Sequence, residues 1–384
     1  MRHHNSVFHG LLKHVPWDLF DRLVAAHGAD RRVRRLTTKS QFVALLYAQL
    51  EGASSLREIE AGLESHASRL YHLGVSAPRR ATLADANALR PAAVFGELLA
   101  QMMGRAHRRL RRALAETTYL IDSSGLRLDT RSLDWARFSA KVCGVKLHVV
   151  YNADADRPIY AALTPARTND ITAAQAMPIE PGATYVFDLG YYDYAWWAKL
   201  DEQGCRIVTR FKRNTPLALV EELPVEPGTS VLSDRIGFLP YRQGAGRRNP
   251  MRHAVREVQI KTDTGKVLRI LSNDLDADAQ QIADLYKRRW AIELFFRWVK
   301  QTLRITRFLG TTENAVTIQI AVALIAFLLL RVAQASQRAI ASPLRFARLV
   351  RANLMHKKPL DRLLEPEPPP IRNPAQLAIQ WQLS

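Results

Sequence analysis

The sequence predicts an α/β chain in which an all-helical N-terminal region precedes a mixed α/β region built on a sheet. Three observations predict it. Apolar residues recur at helical spacing from Ser6 to about Glu116, the period shortens to that of extended chain at Thr117, and an amphipathic helix follows the last strand-like run. The expected division is a helical domain over 1–116, an α/β domain over 117–340 with a β-rich insertion over about 205–273, and a basic, Pro-rich tail over 341–384.

Between Ser6 and Glu116 the punctuation is that of short helices. Pro16 can open one and Gly28 close it, Ser40 can cap the next (FVALLYAQLEG), and Ser55 with Glu58 makes a capping box for a third. The basic loops RRVRR (Arg31 to Arg35) and PRR (Pro78 to Arg80) suit phosphate contacts from a helix-turn-helix, and equally suit the solvated edge of a structural bundle. The last helix of the region ends in RAHRRLRRALAE, richer in arginine than solubility requires.

From Thr117 the runs TTYLIDSSGLRLD, KVCGVKLHVVY and PIYAALTPA read as strands. After a short helix around AAQAM, ATYVFDLGYY repeats the arrangement of the first run, an apolar stretch ending in an acid, and then turns at Gly190. Asp122 and Asp188 thus arrive at matching places, and if their strands are adjacent both carboxylates can converge on one cation. Four more strand-like runs follow, CRIVTRF, that around GFLPY, HAVREVQI and VLRILSN, with TDTG (Thr262 to Gly265) as a hairpin turn. GAGRR, Gly244 to Arg248, could cradle a phosphate, but a lone GxG in a loop reads more simply as a flexible basic tip.

Asp276 or Asp278 then caps a helix that carries Tyr286 to Lys300, YKRRWAIELFFRWVK. At about 100° per residue, Tyr286, Arg289, Glu293 and Lys300 fall within roughly 60° of arc. Trp290 and Arg297 border that stripe, while Ile292, Phe295 and Val299 supply the packing face. A lone carboxylate among cations and an aromatic suits a metal-binding acid set beside phosphates. An ordinary surface helix with an Arg289–Glu293 ion pair has the same pattern. An apolar helix from about Val316 to Ala333 should pack behind it; its apolar core, Ile320 to Leu330, stops at Arg331, short of the about 20 residues that span a bilayer.

Composition narrows the function. Apolar content of 47% and charge of 24% are ordinary for a globular protein, but a net charge of +19 is not. Residues 1–116 carry 18 Lys and Arg against 10 Asp and Glu, 117–293 carry 24 against 22, and 294–384 carry 13 against 4. A near-neutral middle between basic ends suits a polyanion, most simply nucleic acid, with an acidic membrane surface as the rival. Two cysteines, Cys143 and Cys205, exclude a disulfide framework, and neither sits in a zinc-site spacing. No signal-peptide core opens the chain, so a reducing cytoplasm is expected, and no membrane partner.

These residues carry a resemblance. Tyr286, Arg289, Glu293 and Lys300 match the Tyr-x2-Arg-x3-Glu-x6-Lys signature of DDE transposases of bacterial insertion sequences, family four. Asp122 after an apolar strand, FDLGYYDYAWW around Asp188, IVTRFKRN, and KLH at Lys146 to His148 add to it, and TLADANALR (Thr82 to Arg90) resembles a helical domain often found before that catalytic domain. The sequence departs from the usual pattern in Ser123–Ser124 after the first Asp and Leu189–Gly190–Tyr191 after the second.

The resemblance implies an RNase H-like core with a β-rich insertion, and Asp122, Asp188 and Glu293 as catalytic ligands of two Mg2+ ions, which Mn2+ can replace. Tyr286, Arg289, Lys300 and Arg297 would be the DNA-binding residues, and no other cofactor is implied. The partner implied is double-stranded DNA, transposon ends and target, bound by a homodimer on the bacterial nucleoid. Relatives use an aromatic of the insertion to hold a flipped base; residues 200–289 contain no Trp, which leaves Phe238, Tyr241 or nothing. Two other readings fit the same residues: a metal-dependent DNA nuclease on this core, and an inactive DNA-binding remnant.

Overall fold

The computed structural model describes residues 5–111, 117–243, 246–303, 305, 307–337 and 339–365. The N-terminal region folds as helices α1 (Val7–Leu12), α2 (Trp17–Ala26), α3 (Thr38–Glu51), α4 (Leu56–Ser65), α5 (Ala67–Leu70), α6 (Arg80–Leu89) and α7 (Ala93–Arg111). Helices α1, α3 and α4 start at side-chain caps, which satisfy the free backbone N–H groups of a first turn. Ser6 accepts from His9 N and Ser55 from Glu58 N, while Glu58 turns back onto Ser54 N and Oγ. Helix α3 is capped by Thr37, whose hydroxyl accepts from Ser40 N; Ser40, the expected cap, lies inside the first turn. Gly28 follows α2 at φ +58, the left-handed stop expected there. Arg31, Arg32, Arg34, Arg35, Arg79 and Arg80 are exposed, and Arg79 pairs with Glu60 and Glu64. The basic side chains expected at the end of α7 lie outside the described residues.

The strands are β1 (Thr118–Leu128), β2 (Cys143–Asn152), β3 (Arg157–Pro165), β4 (Thr184–Phe187), β5 (Arg206–Arg210), β6 (Ala218–Leu223), β7 (Val231–Phe238), β8 (Arg242–Gln243), β9 (Arg247–Arg248), β10 (Val255–Lys261) and β11 (Val267–Ser272). Apart from the small β8–β9 pair, they form one sheet in the order β3-β2-β1-β4-β5-β11-β10-β7-β6. β1 is antiparallel to β2 and parallel to β4, β4 is parallel to β5, and every pair beyond β5 is antiparallel.

The region expected as an insertion is β-rich, but the strand order corrects its start. Residues 206–210 are the central strand of the sheet that carries Asp122, and β11, β10, β7 and β6 lengthen that sheet on the free edge of β5 rather than closing into a body of their own. Strand alternation reports which residues face inward, not which strand lies beside which, so the pattern of residues carries no sign of the join.

Successive side chains of β1 serve opposite faces. Leu120 joins the apolar core formed by helices α11 (Ala279–Arg288), α12 (Trp290–Thr302) and α13 (Glu313–Ala335) with the N-terminal bundle. Tyr119 and Ile121 join Phe187, Trp196 and Trp197 in a second core, which lies under α9 (Asp170–Gln175) and α10 (Tyr194–Glu202). A short α8 (Leu133–Ala136) links β1 to β2.

Helix α13 is the common axis. It has 23 residues, is long and apolar enough by composition to cross a membrane, and yet is buried along most of its length. It packs on α1, α3, α6, α7 and α12, so the bundle and the sheet share one continuous core. Residues expected to be tail instead form α14 (Pro343–Ala352), whose Phe346 and Val350, spaced one helical turn apart, are fully buried against α13 and α3. Beyond it, His356 O and Leu354 O accept from Val7 N and Phe8 N, which ties the two basic ends of the chain together. The prolines from Pro366 lie outside the described residues.

Candidate active site

Two strands and one helix bring the acids together. β1 and β4 run parallel with Ile121 opposite Phe187, so the acids that follow, Asp122 and Asp188, stand at the same height on adjacent chains. Asp122 Oδ1 accepts from Ser123 N at 2.8 Å. Asp188 caps a short 3-10 turn, Leu189–Tyr191, by accepting from Gly190 N at 2.8 Å. That turn is clamped from below, where Trp197 Nε1 donates to Tyr191 O at 3.0 Å inside the aromatic core.

The third acid comes from α12. The expected single helix over Tyr286–Lys300 is two: α11, capped by Asp278, ends at Arg288, and α12 begins at Trp290. Arg289 forms the joint, its N–H bonded to Tyr286 O and its carbonyl accepting from Ile292 N in three-residue turns. From this joint its guanidinium pairs with Glu293 and lies 3.5 Å from Asp122 Oδ2, bridging the two carboxylates. Asp122 and Arg289 are each only 18% exposed, so their charges meet with little solvent between them.

Burial pushes the Asp122 carboxyl up to about 6; the charges of Asp188 and Glu293 add to that, while the Ser123 N–H and Arg289 oppose it. Tyr191 stands against the same group, and its phenol is raised by burial and by Asp122, Asp170 and Asp188. Lys300 is half-buried on the same side, its pKa lowered by burial against the pull of Asp122. Tyr286 is buried, with the Arg289 guanidinium 5.9 Å from its ring centre. Arg297 is exposed and covers the exposed ring of Trp290 at 5.6 Å. Of the insertion aromatics, Phe238 is exposed and so is Tyr241, which Arg248 and Arg252 flank at 5.6 and 5.5 Å.

The donor set suits a hard cation. A carboxylate raised by burial, with two more whose charges add to the shift, presents oxygen ligands and negative charge, the chemistry of Mg2+ or Mn2+ sites. Among the described residues no three His, Cys, Asp or Glu side chains are close enough as they stand to share an ion, and Arg289 supplies the positive charge between Asp122 and Glu293.

Sequence reasoning missed a second set behind the first. Asp170, the first residue of α9, accepts from Ser123 Oγ at 2.7 Å and from Lys146 Nζ at 3.1 Å, with the buried His148 Nδ1 at 3.9 Å. Lys-x-His on a strand put both side chains on one face, the signal that was available; Asp170 itself reads as an ordinary helix start.

Comparison with known proteins agrees with this architecture. The profile of a transposase DDE domain matches residues 113–329, and that of a domain of unknown function matches residues 3–76. A protein of Sinorhizobium fredii named as a transposase is 37% identical over 295 residues, 76% of this chain and 82% of that one. Another of Geobacillus stearothermophilus, named as a transposase for an insertion sequence element, is 33% identical over 251 residues, 63% of each chain. With a DDE domain over more than half of its length, the chain belongs to the DDE transposase family, enzymes that cut and transfer DNA strands and depend on divalent metal ions.

Proposed function

We propose that this transposase frees the ends of an insertion sequence and joins them to target DNA, with Asp122, Asp188 and Glu293 holding two Mg2+ ions, replaceable by Mn2+. The observation that carries this reading is the parallel register of Ile121 with Phe187, which sets two acids side by side below the carboxylate of α12. Ions bound there would polarise the scissile phosphate and stabilise the attacking and leaving oxygens. In the first reaction a water oxygen bonds to phosphorus, the bond to the 3′ oxygen breaks, and that oxygen leaves as a 3′-OH. In the second, the freed 3′-OH bonds to a target phosphorus and displaces a target 3′-OH, so the number of phosphodiester bonds is unchanged.

The chain's own part is orientation and charge. Lys300, with Arg297 further out along α12, offers cations for the phosphates of the transposon end, and Arg289 can add a third by leaving the carboxylates. Domains over 1–116 and 117–340, a homodimer on DNA and action at the nucleoid complete the proposal. Its support over a plain nuclease is the full Tyr286, Arg289, Glu293, Lys300 set; its support over an inactive remnant is the intact acid triad.

The test is end-DNA cleavage and binding by Asp122→Ala, Asp188→Ala and Glu293→Gln. Each should abolish cleavage and leave binding intact, because a lost ligand removes metal geometry and not the cationic grip on phosphates. Cleavage in Mg2+ near the wild-type rate by any one of them removes that residue from the site.

A further inference from the structure

Ser123 connects the two faces of the sheet. Its N–H holds Asp122 on the side of α12, while its hydroxyl donates to Asp170 on the opposite side. Asp170 does not stand there by accident of packing. Lys146, from the neighbouring strand β2, reaches both Thr168 O at 2.9 Å and Asp170 Oδ1, pinning the start of α9 from below. His148, fully buried beside it, bonds through Nε2 to Thr164 Oγ1 and has no partner at Nδ1 except the approach to Asp170.

The second link runs through Gly190. A Cβ at that position would lie 3.0 Å from Asp188 Oδ1 and 3.1 Å from Asp170 Oδ2. The two carboxylates therefore flank one glycine and leave no room for a side chain between them. Asp122, Asp170 and Asp188 all act on the Tyr191 phenol, and Lys146 supplies Asp170 with a counter-charge on the side away from α12.

We infer that Asp170 is a positioning residue: it fixes Asp122 through Ser123 and, with Asp188, encloses Gly190, and so sets how tightly the acid pair holds a divalent ion. This rests on the proposed role of Asp122 and Asp188. Supporting groups behind metal ligands typically change metal affinity or activity about 10- to 100-fold when removed. Asp170, turned toward Lys146 and Ser123, does this without touching the ion or the DNA.

The experiment is Mn2+ binding to the full-length protein, followed by the loss of the free-ion paramagnetic resonance signal, for wild type and Asp122→Ala, Asp170→Ala, Asp170→Asn and Ser123→Ala. Asp122→Ala should lose measurable binding. Asp170→Ala should weaken it about 10-fold or more, with end-DNA binding close to wild type, and cleavage should recover as Mn2+ is raised. Asp170→Asn, which still accepts from Ser123, should fall between wild type and Asp170→Ala. Wild-type affinity in Asp170→Ala would overturn the inference, and if that variant does not fold, unchanged affinity in Ser123→Ala does the same. Wild-type affinity in Asp122→Ala would overturn the reading of the site itself.

Discussion

Arg289 lies against Asp122 as the counter-ion of a buried acid, and it is tied to Glu293 in the same gesture. In the metal-free protein, Arg289→Ala would leave Asp122 and Glu293 without the cation that stands between them. We expect a loss of about 1–3 kcal/mol, seen as a thermal midpoint lowered by several degrees and largely regained with millimolar Mg2+. A midpoint unaffected by the substitution would show that Arg289 does not neutralise the site.

The cations should separate by where they stand. Lys300→Ala and Arg297→Ala should each flatten the dependence of log affinity for end DNA on log salt by about 0.9 for each phosphate left without its cation. Glu293→Gln should not change the slope. Arg289→Ala should flatten it only when divalent ions are present to take over the carboxylates. Slopes all equal to wild type would mean that this face of α12 does not touch DNA.

Acidity gives an independent handle. Asp122 has its pKa raised from 3.8 to about 6 in the fold, so protonation is favoured in the folded state. The stabilisation is complete below about 3.8 and is lost as pH rises through about 6. In metal-free protein, wild type should therefore lose stability relative to Asp122→Asn across that same window, from about 3.8 to about 6, measured as the difference in thermal midpoint. A pH-independent difference would contradict a raised Asp122.

The sheet extension can be tested through its deepest charge pair. Asp234 on β7 accepts from Arg256 on β10 at 2.8 and 2.6 Å, and both are almost wholly buried. Arg256 also donates to Leu275 O and Ala277 O, in the loop that leads into α11. Asp234→Ala strands a buried guanidinium and should cost about 3–5 kcal/mol. Because the loop feeds the helices that carry Glu293, hydrogen exchange should rise at 275–285 as well as along β7. Exchange confined to β7 would show the extension to be independent of α11 and α12.

What could be read in advance divides by physical range. Asp122 and Asp188 were legible because each closes an apolar strand run, a local pattern. Three features were not. The break at Arg289 has no Gly or Pro to mark it; the central place of β5 depends on strand order, which alternation does not encode; and Asp170 meets Ser123 only after β2 and β3 have brought α9 beneath β1. The packed segment α14 was obscured by the prolines that follow it, although Phe346 and Val350 show the one-turn spacing of a buried face.

The central helix also dictates when this protein can exist. Leu45, Phe95 and the other apolar side chains of the bundle close onto α13, which is made about 200 residues after α7. At about 5–20 residues per second, a ribosome takes about 10–40 s to supply it. For that interval the emerging N-terminal helices carry an uncovered apolar face and depend on chaperones or on their own partial collapse. A message broken before α13 thus yields a fragment with its basic loops but no finished core, one that should be open to proteolysis.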